Sequence, residues 1–178
     1  MKKVETILLA VIGCVLTLFP AAVLSKTIEG ELQLSVDNIE FVLGAFCISP
    51  RKMGHLKLKL KPAESSSPIT TQDDVTVRLY RDRDWNAFQT SPASCSKKFQ
   101  FSLKNETLAQ TSAEVSMRID NSKEHRAVYY YIVLTACSLS EISENKEKVF
   151  SMEYGLELKN NGSHVSAGKC NSTKKNDH

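Results

Sequence analysis

The sequence predicts an all-β protein, an antiparallel β-sandwich of about eight strands. Two observations carry the prediction. Apolar and polar residues alternate with period two in segment after segment, which is the pattern of half-buried strands. These segments lie close together along the chain, with turn residues between them and no sustained helical periodicity, which is the layout of a sandwich.

In chain order, Ile28, Leu32, Leu34 and Val36 alternate with Glu29, Glu31, Gln33 and Ser35. Ile39 to Ile48 is an apolar run with β-branched and aromatic residues, the mark of a more buried strand. Leu56, Leu58 and Leu60 alternate with His55, Lys57, Lys59 and Lys61, giving one apolar and one basic face, and Pro62 closes the strand. Ala63 to Asp73 is a linker rich in Ser, Pro and Thr. Val75, Val77 and Leu79 resume the alternation up to Tyr80, and Arg81 to Ser94, which holds the single tryptophan, Trp85, reads as irregular. Phe99, Phe101 and Leu103 predict a further strand, as do Val115, Met117 and Ile119. Ala127 to Ala136 (AVYYYIVLTA) is the most β-prone stretch and is expected at the centre of a sheet. Phe150, Met152, Tyr154, Leu156 and Leu158 alternate with Ser151, Glu153, Gly155 and Glu157, and Asn161-Gly162 signals a turn.

Composition narrows the function classes. The 178 residues are 42% hydrophobic, 24% charged and 7% aromatic, with net charge +3, an ordinary globular balance. That charge is too small to argue for nucleic acid. Met1, Lys2 and Lys3 precede an uncharged run from Ile7 to Phe19, then Pro20 and the small-residue exit Ala21-Ala22-Val23-Leu24-Ser25. This is the form of a secretory signal peptide over residues 1–25, and the run is short for an uncleaved membrane anchor. Its removal takes away two lysines, one glutamate and Cys14, lowering the net charge to +2. No other stretch is long and apolar enough to predict a membrane span in the mature chain.

Cys47, Cys95, Cys137 and Cys170 remain, an even number in an oxidising compartment, so two disulfides are expected; four cysteines allow three pairings. Asn105, Asn161 and Asn171 head three N-glycosylation sequons, which fits a glycoprotein that is secreted or lumenal. Residues 169–178 form a polar tail.

Catalytic and metal signatures are sparse. The histidines His55, His125, His164 and His178 are scattered, there is no CxxC, no G-x-S-x-G and no glycine-rich phosphate loop. The expectation is a protein that is not an enzyme and uses no cofactor and no metal. Two clusters bear on binding. Lys57, Lys59 and Lys61 suit either acidic groups on a ligand or, the more ordinary role, a solvated edge strand kept soluble by lysine. Tyr80, Arg81, Arg83 and Trp85 are residue types that anchor interfaces, or alternatively form a structural corner with Trp85 capping the core. Of Tyr129, Tyr130 and Tyr131, at most two share a strand face, so core packing is the simpler role.

Several pieces together resemble a known family. Lys26-Thr27-Ile28-Glu29-Gly30 is similar to a K-x-x-x-G opening of a mature chain. Phe46-Cys47-Ile48 followed by Gly54-His55-Leu56-Lys57-Leu58, then Val77-Arg78-Leu79-Tyr80, Trp85 and Ser94-Cys95, continue the series. Tyr130-Tyr131-Ile132-Val133-Leu134-Thr135-Ala136-Cys137 and Met152-Glu153-Tyr154 to Leu158-Lys159-Asn160 complete it. In this order they resemble the lumenal N-terminal domain of the intimal thickness-related receptor family, seven-helix, GPCR-like membrane proteins with a GOLD-like (Golgi dynamics) β-sandwich ahead of the helices. The resemblance covers nearly all of residues 26–168. It implies a GOLD-like sandwich that binds a protein or membrane-protein partner in the secretory pathway or outside the cell, recognising ligand or cargo. It also implies a Cys95–Cys137 disulfide bridging the sandwich, leaving Cys47 to pair with Cys170 or both to stay free. After Val165-Ser166-Ala167 the resemblance ends and no helices follow. The chain is then expected to be a secreted relative without the helices, an alternative transcript, or a fragment of a seven-helix, receptor-like membrane protein. A secreted carrier of lipid or another small molecule is the alternative function class.

Overall fold

The computed structural model describes residues 25–64, 66–92, 94–108, 113–141 and 148–160. Residues 1–24 of the expected signal peptide 1–25, the sequon residues Asn161 and Asn171, Cys170 and the tail lie outside these.

Eight strands form two four-stranded antiparallel sheets. They are β1 (Ser25–Leu34), β2 (Glu40–Ile48), β3 (Met53–Pro62), β4 (Val75–Arg81), β5 (Lys104–Thr107), β6 (Ala113–Asp120), β7 (Val128–Ala136) and β8 (Phe150–Asn160). Sheet I has the order β1-β8-β3-β6 and sheet II the order β2-β7-β4-β5. Successive strands mostly change sheet, so hydrogen-bonded neighbours are distant in sequence. The all-β sandwich expected from the alternation is the fold, and β7 lies between β2 and β4 as a central strand.

The alternating residues place the core. Sheet I sends Leu34, Leu56, Leu58, Ile119, Phe150 and Leu156 inward, and sheet II sends Ile48, Val77, Leu79, Tyr130, Ile132 and Leu134, all at most 1% exposed. Burying one such side chain stabilises by roughly 1.5–3 kcal/mol. Tyr130 stacks on Phe46 at 5.7 Å between ring centres, and its hydroxyl donates to Asn121 Oδ1 at 3.3 Å. The Asn121 amide donates in turn to Ile48 O and Ser49 O at 3.1 and 2.9 Å, so the buried polar atoms are satisfied. A bulge between Val42 and Gly44 turns β2, leaving Val42 46% exposed and Leu43 in the core.

Three expectations need correction. Arg81–Ser94 is not irregular: Asp82–Thr90 is a helix, α1, with Asp82 and Asp84 in its first turn, where the helix dipole favours carboxylates. The strand expected over Phe99, Phe101 and Leu103 is instead a 3-10 helix, Cys95–Phe101, and the short exposed strand β5 starts only at Lys104. The lysine strand β3 is not an edge. It lies between β8 and β6, and the edges of sheet I are β1 and β6. A second short helix, α2 (Ser138–Glu141), follows β7. Among the described residues no helix is long and apolar enough to cross a membrane.

Gly54 marks the tightest approach in sheet I. A Cβ on it would lie 2.3 Å from Ile48 Cδ1, a buried atom with little room to retreat. Gly54→Ala is therefore expected to cost about 1–3 kcal/mol of stability through overpacking. Adding Ile48→Val removes the clashing methyl, so in denaturant melts the double variant should regain most of that loss. Simple additivity of the two single changes would contradict the packing described.

Candidate functional site

The two outer faces of the sandwich are built differently. The outer face of sheet II carries an apolar patch, where β4 presents Tyr80 and β7 presents Tyr131 and Val133, next to the buried polar Arg78 and Thr135. The α1 helix lies over them, with Trp85 and Phe88 three residues apart and so on one side of the helix. The Trp85 ring stacks on Tyr131 at 4.9 Å and on Phe88 at 5.1 Å, and Tyr80 meets Phe88 at 4.7 Å. Phe101 packs against the same cluster. Lys98 Nζ stands 5.0 Å over the Phe88 ring and 3.8 Å from Glu40 Oε1, tying this layer to β2. Cys95 and Cys137 form a disulfide with 5.4 Å between Cα atoms, joining the 3-10 helix to the end of β7. The pairing is the one the resemblance implied. It does not bridge the two sheets, however, but staples the α1 layer onto sheet II. Cys47 is itself disulfide-bonded, and Cys170 lies outside the described residues.

Polar groups under this layer are shaped by burial. Arg78 is 2% exposed, and its Nε donates to Thr135 Oγ1 at 2.9 Å. Burial pulls its guanidinium down to about 10. The Tyr80 hydroxyl is buried with no hydrogen-bond partner among the described residues, and burial pushes it well above the ordinary phenol range. Asp73, 1% exposed, is a second polar anchor at the start of β4. Burial raises its carboxyl, but bonds from Lys148 Nζ at 2.6 Å and from Thr70 N and Oγ1 at 2.7 and 2.8 Å outweigh this and hold it below the usual range. The Asp73 backbone carbonyl also accepts from the Ser138 hydroxyl, which ties in α2.

The interface candidates Tyr80, Arg81, Arg83 and Trp85 therefore divide. Tyr80 at 0% and Trp85 at 8% exposure are interior residues of the α1 layer and form the structural corner, not an exposed patch. Arg81 pairs with Glu124 at 3.1 Å, while Arg83 is exposed beside Asp84 at 3.3 Å. Tyr129, Tyr130 and Tyr131 alternate as their strand requires, Tyr130 inward and Tyr131 toward Trp85.

The outer face of sheet I is open among the described residues. Register sets its side chains in rows across β1, β8, β3 and β6. One row is Thr27, Glu157, Lys57, Ser116; the next is Glu29, Gly155, Lys59, Glu114; the third is Glu31, Glu153, Lys61. Two ion pairs lie within the face, Lys57 with Glu114 at 2.7 Å and Lys159 with Glu157 at 2.9 Å. Lys159 draws the Glu157 carboxyl below its ordinary range. Glu29, Glu31, Glu153, Lys59 and Lys61 make no ion pair with another described residue. These five surround Gly155, where an added Cβ would meet nothing within 4 Å. The result is an open groove of about 530 Å³, walled by the acidic β1 on one side and the basic β3 on the other. Asn105, the one sequon asparagine within the described residues, lies exposed on β5 at the far edge of sheet II.

Of this face, the sequence alone points only to Lys57, Lys59 and Lys61. The carboxylates and Gly155 read there as the wet side of ordinary strands, because nothing local says that β1, β8 and β3 are neighbours. Among the described residues no three His, Cys, Asp or Glu side chains gather in a way that would hold a metal ion.

No known family profile matches the chain, and no curated protein matches it. Among solved structures, the chain is similar to the Yersinia pseudotuberculosis-derived mitogen at 12% identity and a TM-score of 0.31, over 84% of this chain and 92% of that one. It is also similar to a protein of the disulfide-linked pili of Bacillus endospore appendages, at 11% identity and a TM-score of 0.28, over 76% of this chain and 88% of that one. Likenesses this low bear on neither function nor partner.

The disulfide closes a separation of 42 residues. In the chain-entropy treatment a loop of that length stabilises by about 4 kcal/mol. Cys95→Ser should lower the melting temperature and the yield of folded protein, and should release α1 first. In hydrogen exchange the backbone of residues 82–90 should lose protection more than β3 or β8. Unchanged melting and unchanged exchange over α1 would contradict the staple.

Proposed function

We propose that this chain is a non-enzymatic binding module of the secretory pathway or extracellular space, a GOLD-like sandwich that recognises a protein or membrane-protein partner through the outer face of sheet I. The observation that carries the reading is the contrast between the faces. One is sealed by an aromatic layer and a disulfide, while the other presents uncommitted charges of both signs around a groove. Groups already paired within the chain have little to gain from a partner. Glu29, Glu31, Glu153, Lys59 and Lys61 have no such prior commitment. An arrangement of this kind favours specificity and fast, salt-sensitive association over raw affinity.

The eight-stranded sandwich and the Cys95–Cys137 bond are compatible with the GOLD-like resemblance and with an oxidising compartment. The carrier alternative has less support, because Leu34, Leu56, Leu58, Phe150 and their partners from sheet II occupy the space where an acyl chain would lie.

Proximity labelling in secreting cells tests the proposal. Reversing Lys59→Glu and Lys61→Glu together should remove most of the neighbours labelled by the native chain, at equal secretion. Reversing Arg83→Glu on α1 should leave them in place. Loss with Arg83→Glu and retention with the lysine reversals would move the binding surface to the other face and overturn the proposal.

A further inference from the structure

We infer that the open face of sheet I binds a second copy of this chain. The inference rests on the reading of that face as the binding surface and names its partner. Its basis is the distribution of charge across the strands. Across the two central strands the carboxylates lie on β8 and the lysines on β3, in matched rows: Glu157 opposite Lys57, Gly155 opposite Lys59, Glu153 opposite Lys61. Glu29 and Glu31 extend the acidic side on β1, and on β6 Glu114 lies beyond Lys59 and is paired with Lys57.

A strip that is acidic on one side and basic on the other is self-complementary under one kind of two-fold axis only. An axis parallel to the strands, between β8 and β3, lays β8 of one copy over β3 of the other while keeping the rows in step. Glu153 then faces the second copy's lysine at position 61, a contact made twice, as a two-fold interface requires. Glu157 and Lys57, also opposed, are already paired within each copy, and Glu29 comes over Glu114, whose charge Lys57 of its own chain offsets. The lysine at position 59 comes over Gly155, into the groove beside Glu29. The groove exists because position 155 has no side chain, and it offers that lysine carboxylates without ion-pair partners. An in-plane axis across the strands would instead lay β3 on β3, lysine against lysine, and is disfavoured by like charge.

The face offers little area. Four strands about 4.8 Å apart, with about nine residues each, cover about 600 Å² per copy, the low end of specific interfaces. The contact is polar, so the association should be weak, salt-sensitive and dependent on concentration.

The test is sedimentation of the intact secreted chain, at low ionic strength and again in about 0.5 M salt. The native chain should dimerise as its concentration rises, at least tenfold more tightly at low salt. Lys59→Glu with Lys61→Glu should abolish dimerisation, and so should Glu29→Lys with Glu153→Lys. An equimolar mixture of the two variants should restore it, because each then meets the opposite charge. Gly155→Ala, whose added Cβ meets nothing within 4 Å, narrows the groove and should weaken dimerisation at unchanged melting temperature. A chain that stays monomeric throughout, a dimer indifferent to the reversals, or a mixture that fails to pair would overturn the inference. If the native chain is monomeric and its lysine reversals still remove labelled neighbours in cells, the dimer fails and the binding face stands. If those neighbours also persist, both fail.

Discussion

The arrangement depends on the clamp of Trp85 over Tyr131 and Val133, held by the Cys95–Cys137 disulfide. A two-layer sandwich needs only one apolar face per sheet. Sheet II has a second, because β7 carries apolar or aromatic residues at inward and outward positions alike and β4 adds Tyr80 outward beside them. Its second face would be an exposed apolar patch without a cover, and α1 with the 3-10 helix provides one. The disulfide confines that cover at the end of the strand it protects, so forming the layer costs less conformational entropy than docking a free loop.

The function proposed for the other face follows from this asymmetry. Once sheet II is sealed, the broad surface left among the described strands is that of sheet I. It is charged, so it neither collapses onto the rest of the chain nor forms an aggregation-prone apolar patch. Its groove comes from one missing side chain at Gly155, set between an acidic strand and a basic one. Ion pairs inside the face use Lys57, Glu114, Glu157 and Lys159 and leave the charges around the groove uncommitted.

Much of the fold is legible in the sequence, and particular residues show where legibility stops. Leu56, Leu58 and Leu60 announce β3 because period two is local information. The near-continuous apolar run from Val128 to Ala136 announces a strand buried on both sides, which is what β7 is. Phe99, Phe101 and Leu103 alternate just as well, yet the chain there is a 3-10 helix and then a loop, because closure of the disulfide and packing against Tyr80 override a weak local preference. The α1 helix had a signal, the spacing of Trp85 and Phe88, but nine residues give too short a window for periodicity to stand out among charges. The groove was not legible at all. Its walls come from β1, β3 and β8, and strand order between segments so far apart is a property of the whole fold.

Trp85 is the only tryptophan in the chain, so its fluorescence reports on the clamp without any label. The most direct measurement is quenching of that emission by acrylamide in the native protein, in Cys95→Ser and after reduction. The account predicts blue-shifted, poorly quenched emission in the native chain, shifting red and becoming accessible when the disulfide is absent while the sandwich stays folded. Red-shifted, freely quenched emission from the intact, folded protein would contradict it, since sheet II would then be uncovered and the two faces would no longer differ.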